Sequence, residues 1–401
     1  MKKGSSRAMK RIYISGIISG IFVCLIIILL LQFFGVIPRW WSTGFVEDVG
    51  KRAGVVEHYV NKYYWKDDIS EEKMAEYAAK GMVSALGDKY SVYYSQEEYD
   101  DAMNSVNGDY NGIGAMIRLD AGTNRKYIAS VEEGKPAAKA GLQKGDELLK
   151  VNGTSVADKT LSEIVSMIGG EEGKTAVLTI ARMKDGKSVQ QEIQVTSEKI
   201  VSQSVYHRML ESDTGYIRIS QFDKETVGQY KAAVDELEKK GQKRLIIDVR
   251  DNGGGSLEAC IDMLDRMLPA GKLITETSRS RGNKEYTSTD EEHFDKPVVI
   301  LINGNSASAS EVFAGTMQDR AAAVLVGEKS FGKGIVQTIF SLQDVCGGGI
   351  KLTTGEYLLP GGRSIHGKGL TPDVEAAYTG TSKELGAEDD NQLKKALEVI
   401  D

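Results

Sequence analysis

The chain has 401 residues, 41% hydrophobic and 27% charged, enough for two or three domains. Its net charge of −7 argues against a nucleic-acid partner. The three cysteines, Cys24, Cys260 and Cys346, form neither a zinc spacing nor a disulfide framework, and leave room for at most one Cys260–Cys346 bridge.

In chain order, Lys2, Lys3, Arg7, Lys10 and Arg11 come first, with no acid among them. Residues 12–37 then carry no charge, and Gln32 is the only large polar side chain in the stretch. That is long enough for a helix across a bilayer and longer than the apolar region of a signal peptide. No small-x-small cleavage site closes it, and Trp40 and Trp41 follow where interfacial aromatics belong. The reading is a single transmembrane anchor (12–37) behind a cytoplasmic tail (1–11), with everything later outside the cytoplasm. An atypically long signal peptide is the rival.

Residues 38–108 read mostly as helix. Phe45 to Tyr64 has a mixed apolar face, and Ser70-Glu71-Glu72 caps a second run through Leu86. Composition makes this an extracytoplasmic spacer or packing arm.

A second unit, 109–198, opens with Gly112-Ile113-Gly114-Ala115 running into a strand. A Gly-x-Gly turn alone says little. The run from Pro136-Ala137-Ala138 through Gly141-Leu142-Gln143-Lys144-Gly145-Asp146 to Val151-Asn152-Gly153 is more specific, and resembles a PDZ domain of the bacterial protease type. A helix from Leu161 to Ile168 and strands at Thr175–Met183 and Ser188–Val195 complete it. PDZ domains add a peptide C-terminus as a strand and hold its carboxylate on loop N–H groups. Here the loop would be Gly112, Ile113, Gly114 and Ala115, with an apolar pocket between Ile117 and the helix residues Leu161, Ile164 and Val165. A PDZ fold acting only as a rigid spacer is the bland alternative.

From 199 to 385 strands and helices alternate, an α/β pattern. Tyr216 to Ile219 and Leu245 to Val249 read as strands, and Thr226–Lys239 and Leu257–Met267 as helices. The last stretch, 386–401, sets Leu393, Leu397 and Ile400 at helical spacing behind Asp389 and Asp390.

Three pieces of this region bear on chemistry. After the strand ending at Val249, Asn252-Gly253-Gly254-Gly255 presents backbone N–H groups that suit an oxyanion or a phosphate. It lacks the Gly-Lys-Ser/Thr ending of a phosphate loop. The second piece follows the apolar strand Val298 to Ile302, where Ser306, Ser308 and Ser310 lead into a helical pattern. A hydroxyl there faces unpaired N–H groups, that of Ala309 among them, and the positive end of the helix dipole. Ser306 and Ser310 compete with Ser308 here, and the run of small residues could equally be a plain capped turn, with Ser310 as the cap and Glu311 beside it. The third is Gly332-Lys333-Gly334-Ile335-Val336-Gln337, where an extended strand would turn Lys333 and Gln337 to one face. A lysine base near neutral pH needs its pKa lowered by about three units from ~10.4, which burial can supply. Histidine chemistry lacks its context: His58, His207, His293 and His366 are the only four, and no Gly-x-Ser-x-Gly elbow occurs. No His-Glu-x-x-His or ligand cluster supports a metal, and nothing points to a cofactor.

Together the pieces resemble a carboxyl-terminal processing peptidase, or tail-specific protease, from about residue 45 onward. The matching motifs are Leu86-Gly87-Asp88-x-Tyr90-Ser91, the PDZ run, Gly215-Tyr216-Ile217-x-Ile219-x-x-Phe222, and Asp248-x-Arg250-x-Asn252-x-Gly254-Gly255. Ser306 to Glu311, Gly332-Lys333-Gly334-x-x-Gln337 and Gly362 to Gly369 follow in order. The resemblance implies a crotonase-like α/β protease core with an inserted PDZ domain. It also implies a serine endopeptidase with nucleophile Ser308, base Lys333, orienting Gln337, and oxyanion donors at the N–H groups of Gly254 and Ala309. Its substrates would be proteins or peptides with unstructured, free C-termini, taken by the PDZ domain; monomer and homo-oligomer both stay open. The alternative from another class is a catalytically silent receptor for peptide tails or apolar ligands. Three positions depart from the family pattern. Gly253 stands for a proline in the oxyanion turn, Gly169 for a basic residue at the end of the PDZ helix, and Lys89 for a proline in a place read as away from the chemistry.

Overall fold

The structure, a computed structural model, describes residues 43–107, 109–120, 122–184, 186–289, 293–382 and 385–400. The apolar stretch 12–37 lies outside them. Among the described residues no helix is long and apolar enough to cross a membrane. The chain divides into two units, Met1–Ala75 and Glu76–Asp401. The first contributes the helix Thr43–Tyr63, whose Lys51–Glu47 and Arg52–Asp48 pairs sit one turn apart.

The second unit is built on a six-stranded sheet in the order Val205–Met209, Thr214–Ile219, Arg244–Asp248, Val298–Ile302, Val324–Gly327, Val374–Glu375. Only the first pair is antiparallel. Successive residues of one strand serve opposite faces. Leu245 and Ile247 pack with Tyr230, Leu237, Met263, Leu264, Val312 and Phe313 from three helices. Ile246, with Val299 and Leu301, packs under Leu393, Ala396 and Ile400 of the C-terminal helix Asn391–Ile400. The central strand Val298–Ile302 is therefore buried on both faces, which is why it reads as an unbroken apolar run.

A second, antiparallel sheet runs Val92–Tyr94, Gly349–Leu358, Gly271–Ser278, Gly282–Ser288, with Ile335–Ser341 also on Gly349–Leu358. Its edge strand comes from the stretch read as a helical arm. Among the helices of the arm, Val92–Tyr94 is a short strand that pairs directly with the strand neighbouring the Gln337 strand. The helix Gln96–Asn107 follows, and Gln96 Oε1 accepts from Gly348 N–H at 2.9 Å.

The PDZ unit carries the sheet Ala115–Asp120, Arg125–Val131, Glu147–Val151, Thr175–Lys184, Lys187–Thr196, with Thr154–Ser155 on Glu147–Val151. A two-stranded ladder, Asp109–Gly112 with Glu198–Val201, joins the two crossings of the chain. Thr160 caps the helix Leu161–Ile168 in a reciprocal capping box with Glu163. Cys260 is a buried free thiol and Cys346 an exposed one, so the bridge is not formed.

Candidate active site

The strand Val298–Ile302 delivers the chain to a turn, and the helix Ala309–Asp319 leaves from it. The three serines of the turn are not equivalent. Ser306 is fully buried and its hydroxyl donates to Val249 C=O at 2.8 Å. Ser310 is fully buried and donates to Asn252 C=O at 2.9 Å. Ser306 thus ties the serine turn to Val249 ahead of the glycine turn, and Ser310 ties it to the glycine turn itself. Ser308 alone is half-exposed, and its φ of 57° and ψ of −119° lie where a side-chain-bearing residue is strained. This backbone sets residue 308 outside the helix, at its N-cap, and leaves Ala309 N–H, at the first helical position, without an acceptor among the described residues.

Glu311, one turn into the helix, is fully buried and organises the rest. Its Oε2 accepts from Ser308 N–H at 3.0 Å and from Lys333 N–H at 2.7 Å. Its Oε1 accepts from Gly332 N–H at 2.7 Å and Ser330 Oγ at 2.5 Å. One carboxylate therefore holds the backbones of both Ser308 and Lys333. In the sequence Glu311 stands out only as the acid at the end of the motif from Ser306 to Glu311, and its reach to Lys333 has no local sign.

Lys333 stands in the loop before the strand Ile335–Ser341, not in the strand itself. Burial lowers its pKa, the Lys351 ammonium lowers it further, and the Glu311 carboxylate opposes both. Lys333 Nζ lies 5.0 Å from the centroid of the Tyr90 ring. Lys89 Nζ lies 4.9 Å from the same ring and 5.7 Å from that of Phe331. The Lys89 departure, read in the sequence as away from the chemistry, thus lies beside the candidate base Lys333. Among the described residues no hydrogen bond joins Ser308 to Lys333, or Lys333 to Gln337. Gln337 Nε2 instead donates to Ile335 C=O, on its own strand, at 3.3 Å.

The glycine turn lies directly against the serine turn. Gly254 has a φ of 100°, and a Cβ there would stand 2.8 Å from Ser308 Cβ and 2.9 Å from Ala309 N. No other residue fits. Its N–H, however, donates to Asn252 Oδ1 at 2.9 Å. Of the two expected donors, only Ala309 N–H is free in this arrangement.

Behind that turn Arg250 is fully buried. Its guanidinium holds Asp248 at 2.9 and 2.6 Å, Asp390 at 3.1 and 2.6 Å, and Gln392 at 2.7 Å. Tyr216 Oη donates to Asp248 at 2.7 Å. This cluster fastens the C-terminal helix to the segment that leads into the glycine turn.

In the PDZ unit, Gly112 ends the connecting ladder, and Ile113, Gly114 and Ala115 lead into the sheet. Ile117 and Leu161 are half-buried and Val165 is 53% exposed, an apolar strip between strand and helix. Ile164 differs: it is fully buried in the PDZ core, because the helix turns its 164/168 face inward. Gly169 has a steric reason, since a Cβ there would lie 2.9 Å from Asn111 C=O. The PDZ helix instead reaches the arm through Ser166 Oγ, which donates to Glu97 at 2.6 Å. His366 sits in a surface loop with its N–H on Ser364 Oγ.

Residues 213–376 match the model of peptidase family S41, and residues 127–182 that of the PDZ domain. The chain is 35% identical over 321 residues to the carboxy-terminal processing protease CtpA of Bacillus subtilis (strain 168), covering 80% of this chain and 67% of that one. It is 36% identical over 330 residues to the "Probable CtpA-like serine protease" of Staphylococcus aureus (strain COL), covering 82% of this chain and 64% of that one. The chain thus spans about two thirds of the length of these relatives. The fold is shared with the crystal structure of the "Putative S41 protease from Bacteroides fragilis NCTC 9343", at a TM-score of 0.52 and 18% identity, covering 86% of this chain and 96% of that one.

Proposed function

Because this chain belongs to the carboxy-terminal processing proteases of peptidase family S41, we propose that it is a serine endopeptidase that takes unstructured protein C-termini on its PDZ unit and cuts them with Ser308 and Lys333. One observation carries the choice of nucleophile: Ser308 is the half-exposed serine of the turn, whereas Ser306 and Ser310 are buried on backbone carbonyls. Neutral Lys333 takes the Ser308 proton as Oγ attacks the scissile carbonyl. The oxyanion forms against Ala309 N–H, and against Gly254 N–H once that group leaves Asn252 Oδ1. The C–N bond then breaks, protonated Lys333 gives its proton to the departing amine, and an acyl-enzyme remains. Water, losing a proton to Lys333, attacks the ester, and Ser308 recovers its hydrogen as the acid product leaves. Gln337 orients the amine by rotating from Ile335 C=O.

The N-terminal stretch extends the proposal. Five cations before a charge-free 12–37 support a single membrane anchor with a cytoplasmic N-terminus and an extracytoplasmic catalytic unit. Added protease should then degrade the chain beyond residue 42 on intact cells lacking an outer barrier and spare the first eleven residues; a protected catalytic unit would reverse the orientation.

A second reading, a silent receptor for peptide tails, draws on the engaged Gly254 N–H and the missing Ser308–Lys333 hydrogen bond. Labelling by a fluorophosphonate together with hydrolysis of a peptide bearing an apolar, unstructured tail separates the two. Labelling at Ser308 and cleavage support the protease; capture of the peptide with neither establishes the receptor.

A further inference from the structure

The loop Gly87 to Ser91 comes from the arm, yet it is fastened beside Lys333. Asp88 accepts from Tyr90 N–H at 3.0 Å and from Ser91 Oγ at 2.6 Å. Ser91 Oγ accepts in turn from Thr353 N–H at 3.1 Å, and Val92 pairs with Lys351 in the sheet. Tyr90 is therefore held by the same strand that neighbours the Ile335–Ser341 strand, and its ring lies at the end of the Lys333 side chain.

Lys333 Nζ has no hydrogen-bond acceptor among the described residues, and both Glu311 oxygens are already engaged by other donors. A partly desolvated ammonium still needs a negative potential, and the face of an aromatic ring within about 6 Å provides one. We propose that Tyr90 is a positioning residue for the reaction: its ring face seats the Lys333 amine and sets the line along which that amine meets Ser308. The inference rests on the Ser308–Lys333 reading above. A ring face suits a base better than a carboxylate would, since a carboxylate at hydrogen-bond distance would hold the proton much more firmly. The other charged and titratable groups around Lys333 are Lys351, Glu311 and Lys89, with Asp88 and His366 by the loop. Of these only Lys89 also uses the ring, so the readout must report on Lys333 itself.

The test uses the full chain with Tyr90→Phe, Tyr90→Trp and Tyr90→Leu. Two readouts are needed: kcat and KM against pH on a peptide with an unstructured apolar tail, and NMR titration of the 13C-labelled Lys333 ε-methylene. In Tyr90→Leu, kcat should fall roughly ten- to a hundred-fold, the scale of a misplaced reacting group, with KM unchanged. The ε-methylene should lose its upfield ring-current shift, and its titration should move to lower pH because the cation has lost its partner. Tyr90→Phe should restore both. A Tyr90→Leu enzyme with wild-type kcat and titration overturns the proposal, as does a Tyr90→Phe enzyme as impaired as Tyr90→Leu. If Tyr90→Leu does not fold, Tyr90→Trp decides, since its stronger face should raise the titration midpoint and an unmoved midpoint overturns the seat. An active Lys333→Arg enzyme would overturn the base assignment and Tyr90's part with it. An inactive Lys333→Arg alongside an unaffected Tyr90→Leu overturns the ring seat alone.

Discussion

Replacing Glu311 tests whether one buried carboxylate assembles the site. The side chain is fully buried and takes the N–H groups of Ser308, Gly332 and Lys333 and the hydroxyl of Ser330. Glu311→Ala leaves four donors around a cavity. Each unmet buried donor costs about 1–3 kcal/mol, and water entering the space recovers part of that. The expected loss is about 3–5 kcal/mol, the scale for breaking a buried charged network. At roughly 2–4 °C per kcal/mol, Tm should fall by about 6–20 °C. Glu311→Gln keeps an acceptor oxygen and should lose less, which leaves it suited to kinetics. Burial and Lys351 lower the Lys333 pKa, and the Glu311 charge raises it, so the glutamine variant should have a still lower lysine pKa. A lysine base works when neutral, and kcat/KM therefore rises with pH through that pKa. In Glu311→Gln the rise should move to lower pH. Calorimetry on the alanine variant and kcat/KM–pH profiles on the glutamine variant check both statements. An unchanged Tm in the first, or a rise moved to higher pH in the second, would refute the reasoning.

Three further outcomes are expected. Ser308→Ala should abolish hydrolysis with an unchanged fold, while Ser306→Ala and Ser310→Ala should each lose about 1 kcal/mol of stability, the worth of a buried hydrogen bond, and still cleave; activity in Ser308→Ala alone would shift the nucleophile. Lys333→Arg should be as inactive as Lys333→Ala, because arginine keeps its proton, whereas Gln337→Ala should retain a rate roughly ten- to a hundred-fold down. Arg250→Met should lose about 3–5 kcal/mol, since Asp248 and Asp390 would be left buried without their cation. Burial raises the Asp390 pKa, but the Arg250 bonds outweigh it and hold the group below its ordinary value. That contribution is present above the unfolded carboxylate pKa of about 3.9 and is lost as pH falls through the folded value. Acid unfolding followed by circular dichroism should show this dependence in the wild type and a weaker one in Arg250→Met.

What could be read along the chain was local. The strand Val298–Ile302 is apolar without interruption because both its faces are covered, and the helix Leu257–Met267 shows its periodicity openly. The serine turn and the glycine turn were legible as places where backbone N–H groups could go unpaired; that they lie against each other was implied only by the resemblance, and Gly254 N–H is in fact held by Asn252 Oδ1. Three features were not legible. Val92–Tyr94 is a strand only because Gly349–Leu358 offers it an edge, so its state depends on residues far along the chain. Tyr90 had an aromatic side chain and no local sign that it would meet Lys333. Arg250 looked like part of a motif near the chemistry, yet its role is to bind the C-terminal helix. Side-chain partners distant in sequence are set by the packed sheet, which no window of local sequence contains.

The left-handed backbone at Ser308 has a consequence for any search for stabler forms of this protein. A side-chain-bearing residue in such a conformation carries about 1–3 kcal/mol of strain. Glycine would relieve most of it, and alanine none, since alanine retains the Cβ that causes it. Screens that reward expression, solubility or heat resistance without demanding turnover should therefore drift toward Ser308→Gly. The same drift is open to natural copies released from selection for cleavage, whose inactive descendants would be better folded than their parent.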